Sequence, residues 1–347
     1  MRKTKLISCG VVLLVSIFSL VFFVFSIFYG KSLDNIEPPP LLGNKEDNIN
    51  RINEEKVLPR NFSFLVVSDT KTSNIFEAFY NSDLYPDEAD FTIIGGDFVK
   101  DPEWGHHNFF IQEFIEWGLK KPIFLIAGNH DIALEEKYKE KANAFLVDDF
   151  KKTYGPLDFC FRYSGCLFIG VDNNYNETYL DYLREALSAE SDGALIKFVF
   201  MHIPPPSMVP VSEFRPLKKE GEFFDIVDEF NVDYVIASDY HSYLRHRRGR
   251  TNYIITGGGG ANLYDENSSF YHAIMFHVDP KNREVAEFIY PLKKSLDFGD
   301  DIEIFMVTKT YPYFKYHPPL GFAILALNAA VIGLLIWGFF SLIGRRD

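Results

Sequence analysis

The sequence is short of cysteine and of positive charge. Its 347 residues include 3 cysteines, and 48 Asp and Glu residues outnumber 35 Lys and Arg residues, for a formal net charge of -13. An acidic chain repels polyanions, so a nucleic acid is not an expected partner. Cys160 and Cys166 flank FRYSG, a predicted hairpin tip. Either a disulfide between them or two reduced thiols is consistent with that spacing.

Charged side chains are absent from two long stretches, residues 6–30 and residues 318–344. Each exceeds the roughly 20 apolar residues that span a bilayer core. The first stretch is too long for the roughly 7–15 apolar residues of a signal peptide, and no small-residue cleavage site follows it. A retained anchor is therefore favoured over a cleaved signal peptide. We predict transmembrane helices at 6–29 and 318–343.

Basic residues flank both predicted spans, and they are Arg2, Lys3, Lys5, Arg345 and Arg346. Because cytoplasmic flanks are enriched in Lys and Arg, we predict cytoplasmic tails at 1–5 and 344–347. The residues between the two spans then face a periplasm, a lumen or the cell exterior. This arrangement places membrane lipids close to the outward part of the chain, and the sequence does not identify a protein partner.

Between the spans, apolar runs of strand length alternate with helical or polar stretches. The β-branched and aromatic content of runs such as FTIIG and LIKFVFM favours strands over helices. Helices are predicted at 74–81, 107–119, 135–152, 178–190 and 221–230. Strands interleaved with helices, followed by two antiparallel strands, indicate a layered α/β domain. We predict a polar linker at 30–60, this domain at 61–300 and a membrane-proximal connector at 301–317.

Polar side chains follow five of the predicted strands, at the point where each strand ends. They are Asp69 after FLVVS, Asp97 after IIGG, Asn129 and His130 in GNHD, His202 after FVFM, and Asp239 and His241 in SDYH. Five such segments at one edge indicate a shared ligand, because buried unpaired carboxylates and imidazoles are costly. Oxygen and imidazole donors without thiolate suit manganese, iron, zinc or nickel. The pattern predicts a site for one or two divalent metal ions.

The order and type of these residues resemble the calcineurin-like metallophosphoesterases, also called metallo-dependent phosphatases. The motifs SDTK, GGDFVKD, GNHD, MHIPPP and SDYH carry the resemblance, which covers roughly residues 62 to 280. It implies a layered β-sandwich flanked by helices, with one transmembrane helix added here at each end. It also implies hydrolysis of a phosphomonoester or phosphodiester, with a metal-bound hydroxide as the nucleophile. The two predicted spans hold the site near a bilayer, which favours a lipid-linked substrate.

The resemblance implies a role for each matching residue. Asp97 would bridge two ions; Asn129, His202 and Asp239 would bind one of them, and Asp69 and His241 the other. His130 matches the catalytic histidine that contacts phosphate and protonates the leaving oxygen. Asp101 would orient or stabilise His130. Asp131 is predicted to cap the following helix.

The sequence departs from the family pattern at Lys71 and at Asp239, where the family has histidines. A carboxylate still binds these metals, but a protonated lysine has no lone pair to donate. Three hypotheses therefore stay open. Water completes the metal site beside Lys71, or the Lys71 ammonium replaces one ion and contacts the substrate phosphate. In the third, catalysis is lost and the pocket serves a receptor or scaffold.

Overall fold

The structure, a computed structural model, describes residues 2–54, 59–82, 85, 88–174, 178–210, 217–264, 269–294 and 296–344. It divides the chain into a terminal unit, Met1–Ile36 with Phe298–Asp347, and a central unit, Glu37–Asp297. The predicted basic flank at Arg345 and Arg346 lies outside the described residues.

The helices within the described residues are divided between the two units. The terminal unit contains α1 (Arg2–Ser32), α9 (Phe298–Phe305), a π-helical turn (Met306–Thr310), α10 (Tyr311–Tyr316) and α11 (Pro318–Gly344). The central unit contains α2 (Glu46–Glu54), α3 (Asn74–Tyr80), α4 (Trp104–Trp117), α5 (Glu136–Lys139), α6 (Val147–Tyr154), α7 (Tyr179–Glu190), a 3-10 turn (Pro206–Met208) and α8 (Glu220–Glu229).

The strands of the central unit form two sheets. Their bounds are β1 (Phe62–Val67), β2 (Phe91–Ile94), β3 (Ile123–Leu125), β4 (Phe159–Tyr163), β5 (Cys166–Gly170), β6 (Lys197–Phe200), β7 (Tyr234–Ala237), β8 (Tyr243–Arg248), β9 (Thr251–Thr256), β10 (His272–Asp279) and β11 (Glu284–Pro291). The strand orders are β11-β10-β1-β2-β3 and β4-β5-β6-β7-β9-β8. Strands β1, β2 and β3 are parallel, as are β5, β6, β7 and β9. Their carboxyl ends therefore collect the residues that follow them.

The two sheets pack face to face around an aromatic core. Phe64 of β1 stacks on Phe91 and Phe276 in its own sheet, with ring centroids 5.4 and 4.8 Å apart. It meets Phe168 and Phe198 of the other sheet edge-on, at 5.3 and 5.2 Å. Helices α7 and α8 pack on the opposite face of that second sheet. The predicted sandwich flanked by helices is confirmed.

The predicted helix 135–152 is wrong, because the segment contains two short helices that are joined by turns and a bridged residue. Ala144 forms an antiparallel bridge with Glu103, and the Trp104 amide donates to the Asn143 carbonyl at 2.9 Å. Phe145 is fully buried there. Tertiary packing of this stretch outweighs a helical propensity that is worth only tenths of a kcal/mol per residue.

The range 30–60, where the sequence predicts a linker, includes residues that pack within the central unit. Leu42 forms a parallel bridge with Ile123 of β3, and the Asn44 side-chain amide donates to the Leu125 carbonyl at 2.7 Å. Ile52 of α2 joins the core between the sheets. These contacts extend the central unit to residues before its first strand.

Cys160 and Cys166 are both free thiols. Their hairpin register pairs Cys160 with Ile169 and Cys166 with Tyr163. Cys166 belongs to the core between the sheets, whereas Cys160 packs on the side of α7 and α8. Of the two alternatives for this pair, a disulfide or two reduced thiols, the structure has the reduced thiols, because side chains on opposite faces of a sheet do not meet.

Two helices of the terminal unit, Ile7–Ser32 and Pro318–Ser341, are long and apolar enough to cross a membrane. They contact each other in antiparallel order. The Asn328 amide donates to Ser19 Oγ at 3.2 Å, and Cys9 Sγ lies 3.7 Å from the Leu335 carbonyl. An early residue of one helix thus meets a late residue of the other.

Candidate metal centre

Three aspartates at the strand ends have left-handed backbone conformations. The φ angles are 56° at Asp69, 51° at Asp97 and 61° at Asp239, values that non-glycine residues rarely adopt. Hydrogen bonds hold these turns: the Asp69 amide donates to the Gly96 carbonyl at 2.9 Å, and the Asp239 amide to Asp69 Oδ2 at 3.3 Å. Such strain persists where surrounding contacts over-determine it, commonly at functional sites.

The structure brings the predicted donors together as two clusters that share Asp97. One cluster contains Asp69, Asp97 and His241, and the other contains Asp97, His202 and Asp239. Within each cluster the candidate ligand atoms lie within 4.8 Å of one another. Asp69 and His202 are completely buried, so each cluster includes a residue that lies below the protein surface.

His202 is at the centre of the second cluster. Its Nε2 lies 3.4 Å from Asp97 Oδ1, 3.6 Å from Asp239 Oδ1 and 3.4 Å from Asn129 Oδ1. In the first cluster, His241 Nε2 lies 3.3 Å from Asp69 Oδ1. Every predicted oxygen and imidazole donor therefore has an atom directed at one of the two clusters.

The three histidines of the site are oriented in the same way by backbone carbonyls. The Nδ1 atoms of His202, His241 and His130 lie 2.9, 2.6 and 2.6 Å from the carbonyls of Gly95, Asn262 and Lys100. A carbonyl only accepts, so each Nδ1 carries the hydrogen and the neutral ring keeps its lone pair on Nε2. Metal-ligating histidines have this arrangement.

Two buried carboxylate oxygens of the clusters have no hydrogen-bond donor in the described part of the chain, which indicates whether the site fits a cation. Asp69 Oδ1 and Asp239 Oδ2 are inaccessible to solvent and accept no hydrogen bond from the described residues. Buried oxygens normally have a donor, so this deficit needs an explanation. A divalent ion with oxygen and imidazole ligands satisfies Asp239 together with Asp97, Asn129 and His202, and the residues present therefore fit a metal.

Electrostatics favour positive charge at the second cluster. Burial lowers the pKa of His202, but the charges of Asp97, Asp239 and Asp69 outweigh that effect and raise it to about 10. Burial also raises the pKa of Asp97, yet His202, Lys71 and His130 together lower it below its usual value. The buried carboxylates thus stabilise a cation, whether an imidazolium or a metal.

Asp131 holds two loops of the site together through hydrogen bonds, a role that the sequence did not indicate. Its carboxylate accepts from the backbone amides of Asp97, Val99 and Gly128 at 2.8, 3.1 and 2.6 Å. The predicted helix cap is wrong, because Glu135 occupies the N-cap of α5. The acceptor geometry joins the loops after β2 and β3, and only the folded sheet brings those amides together.

The remaining predicted residues line a cleft of about 460 Å³ above the clusters. Its walls are Lys71, Lys100, Asp101, His130, His241, Asn262, Leu263 and Tyr264. His130 Nε2 lies 3.9 Å from Asp97 Oδ2, whereas Asp101 Oδ2 lies 3.4 Å from His106 Nε2. The Tyr264 ring stacks on His241 with centroids 5.0 Å apart. No motif in the sequence indicated Tyr264, which lies in a segment after the last predicted ligand, His241.

A family model described as calcineurin-like phosphoesterase matches residues 62–243, which are 182 of the 347 residues. The chain belongs to the calcineurin-like phosphoesterase family. The match includes every strand end that carries a predicted ligand, from Asp69 to His241. A sequence search of curated proteins finds no match.

Solved structures of this calcineurin-like phosphoesterase fold are similar at low sequence identity. A purple acid phosphatase from yellow lupin (Lupinus luteus) seeds is 13% identical with a TM-score of 0.50, and the match covers 70% of this chain and 55% of that chain. A dimetal phosphatase from Danio rerio is 9% identical, with a TM-score of 0.48 and coverages of 68% and 98%. GAP50, the anchor in the inner membrane complex of Plasmodium, is 14% identical, with a TM-score of 0.44 and coverages of 73% and 95%. The chain spans about half the length of the lupin phosphatase, and the likeness is one of fold.

Proposed function

We propose that this chain is a membrane-anchored, metal-dependent phosphoesterase that hydrolyses a phosphomonoester or a phosphodiester. The observation that carries the proposal is the arrangement of His202 and His241. Their Nδ1 atoms are held by carbonyls, and their Nε2 atoms face buried carboxylates of Asp69, Asp97 and Asp239. Two oxygens of this set, Asp69 Oδ1 and Asp239 Oδ2, accept no hydrogen bond from the described residues. A purely structural histidine needs no such pair of constraints, whereas a metal ligand needs both.

Asp97, Asn129, His202 and Asp239 would hold a divalent ion, for which manganese, iron, zinc and nickel are the candidates. When bound, such an ion activates the attacking water and neutralises phosphoryl oxygens. Asp69 and His241 form the other half of the centre, beside Lys71. Asp97 contributes to both halves because its carboxylate lies between them.

His130 is the proposed catalytic residue that donates a proton to the leaving oxygen. The Lys100 carbonyl fixes its ring through Nδ1, so Nε2 is the atom that faces the cleft. A positioned histidine of this kind acts as a general acid when Nε2 is protonated. Asp101 lies in the same cleft and is proposed to stabilise the positive charge of His130. Lys71 and Lys100 attract the anionic substrate.

The activity is tested with the full chain in detergent, after chelation and then addition of single metals. We expect hydrolysis of a chromogenic phosphomonoester or phosphodiester to disappear on chelation and to return with Mn²⁺, Fe²⁺, Zn²⁺ or Ni²⁺. A lipid-linked phosphoester presented in vesicles tests the substrate class suggested by the anchors. Inactivity with every metal and substrate would instead favour a receptor or scaffold that uses the same pocket for binding.

We also propose that both termini are cytoplasmic and that residues 31–317 face away from the cytoplasm. The antiparallel contacts of α1 with α11 support this, since two antiparallel spans return the chain to the side where it started. Exposed apolar side chains precede α11 and suit the membrane surface, and they are Phe298, Ile302, Phe305, Tyr313 and Tyr316.

Topology is checked with epitope tags placed at either terminus. Protease added to sealed vesicles whose cytoplasmic face is outward should remove both tags, and it should digest the central unit only after the membrane is permeabilised. A terminal tag that is protected in such vesicles would contradict the proposed orientation. The expectation rests on the Lys and Arg flanks and on the length of the two apolar helices.

A further inference from the structure

The loop after β1 holds Lys71 against Asp97. The Lys71 amide donates to the Asp97 carbonyl at 3.0 Å, and the Thr72 amide donates to the Phe98 carbonyl at 2.9 Å. Both Lys71 and Thr72 have left-handed backbones, with φ of 48° and 51°. Two adjacent strained residues need such support, and the support fixes where the Lys71 side chain begins.

The ammonium group of Lys71 reaches the first cluster. Lys71 Nζ lies 3.3 Å from Asp97 Oδ2, and its side chain is 19% exposed, beside a carboxylate that is 1% exposed. Asp69, Asp97 and His241 are the residues of that cluster that would otherwise bind a cation. A lysine ammonium offers three donors and no lone pair, so Lys71 is an ion-pair partner of Asp97 and not a metal ligand.

The two oxygens of Asp97 have different partners. Oδ1 faces His202 Nε2 at 3.4 Å and accepts from the His130 amide at 2.9 Å. Oδ2 faces Lys71 Nζ. A bridging carboxylate would offer one oxygen to each of two ions, but here the second oxygen is already paired with an ammonium. A divalent ion placed there would also be repelled by the lysine charge.

On the basis of the proposed function, we propose that the Lys71 ammonium is a built-in cation of the Asp69, Asp97 and His241 cluster. The chain then binds a single divalent ion, through Asp97, Asn129, His202 and Asp239. This inference selects one of the three hypotheses that the sequence leaves open. It makes Lys71 the residue that decides the metal stoichiometry.

The test is a Mn²⁺ titration of the full chain, with bound metal counted by mass spectrometry and the electronic state followed by electron paramagnetic resonance. We expect one Mn²⁺ per chain and the six-line signal of an isolated ion. In Lys71→His, which supplies an imidazole in place of the ammonium, we expect two Mn²⁺ per chain and a spin-coupled signal. Lys100→Met is the matched control, because it removes an exposed lysine of the same cleft and should still bind one ion.

Lys71→Met is a second variant, which keeps the test informative if Lys71→His does not fold. It removes the charge at constant length, so a second Mn²⁺ should enter at higher concentration. Two ions in the wild type, or a single ion in both Lys71 variants, would overturn the inference and leave the phosphoesterase proposal intact if hydrolysis persists. A wild type that binds no ion and shows no hydrolysis would overturn the proposed function and this inference together.

Discussion

Replacing Asp97 by asparagine is expected to abolish metal binding and to lower kcat/KM by roughly 10³-fold or more. The carboxylate belongs to both clusters and is 1% exposed, so no other described side chain takes its place. Asparagine keeps the shape but loses the negative charge that attracts the ion. It also leaves the Lys71 ammonium without its nearest carboxylate oxygen. Bound metal per chain and steady-state hydrolysis provide the two measurements.

Asp233→Asn is the matched control for this substitution. Asp233 precedes β7 and therefore lies at the opposite end of the strand from Asp239. Its carboxylate pairs with Arg250 at 2.7 Å and with Arg283 at 3.4 Å, away from the metal centre. Metal content and kcat/KM should stay within a factor of about two, because these partly exposed ion pairs contribute roughly 0–1 kcal/mol to stability and involve no residue of the two clusters. Asp97→Asn with wild-type metal content would contradict the proposed centre.

Replacing His130 by glutamine is expected to lower kcat by roughly 10²–10⁴-fold while metal binding persists. His130 Nε2 faces the cleft but is 3.9 Å from the nearest carboxylate oxygen, Asp97 Oδ2, so the residue is not a member of either cluster. Glutamine can still contact the substrate, but it cannot transfer a proton. The loss should therefore be greater for an alkyl phosphoester, which has a poor leaving group, than for p-nitrophenyl phosphate.

That difference between leaving groups separates proton transfer from substrate binding. His246→Gln is the control, since His246 is exposed on β8 and should have no effect with either substrate. An equal loss for both leaving groups would indicate that His130 binds phosphate without protonating the leaving oxygen. A loss of bound metal in His130→Gln would show instead that the substitution disturbs the Asp97 loop, to which the His130 amide donates at 2.9 Å.

Much of the fold followed from local patterns in the sequence. The strands at Phe91–Ile94 and Lys197–Phe200 are short apolar runs that end in polar turns, which is why the sequence predicts strands in FTIIG and LIKFVFM. The helix predicted at 135–152 was wrong because Ala144 pairs with Glu103, a partner some forty residues earlier. A non-local bridge of this kind leaves no periodic signal in the segment itself.

The sequence by itself determined which donor types follow which strands, and it placed two apolar helices at the ends of the chain. Only the tertiary structure decided how the donors are shared. One oxygen of Asp97 faces His202 and the other faces Lys71. Each imidazole is oriented by a backbone carbonyl that is remote along the chain, as Gly95 is from His202. The physical reason is that Asp97 and His202 follow strands of different sheets, so their contact depends on how the two sheets pack and on where each loop turns.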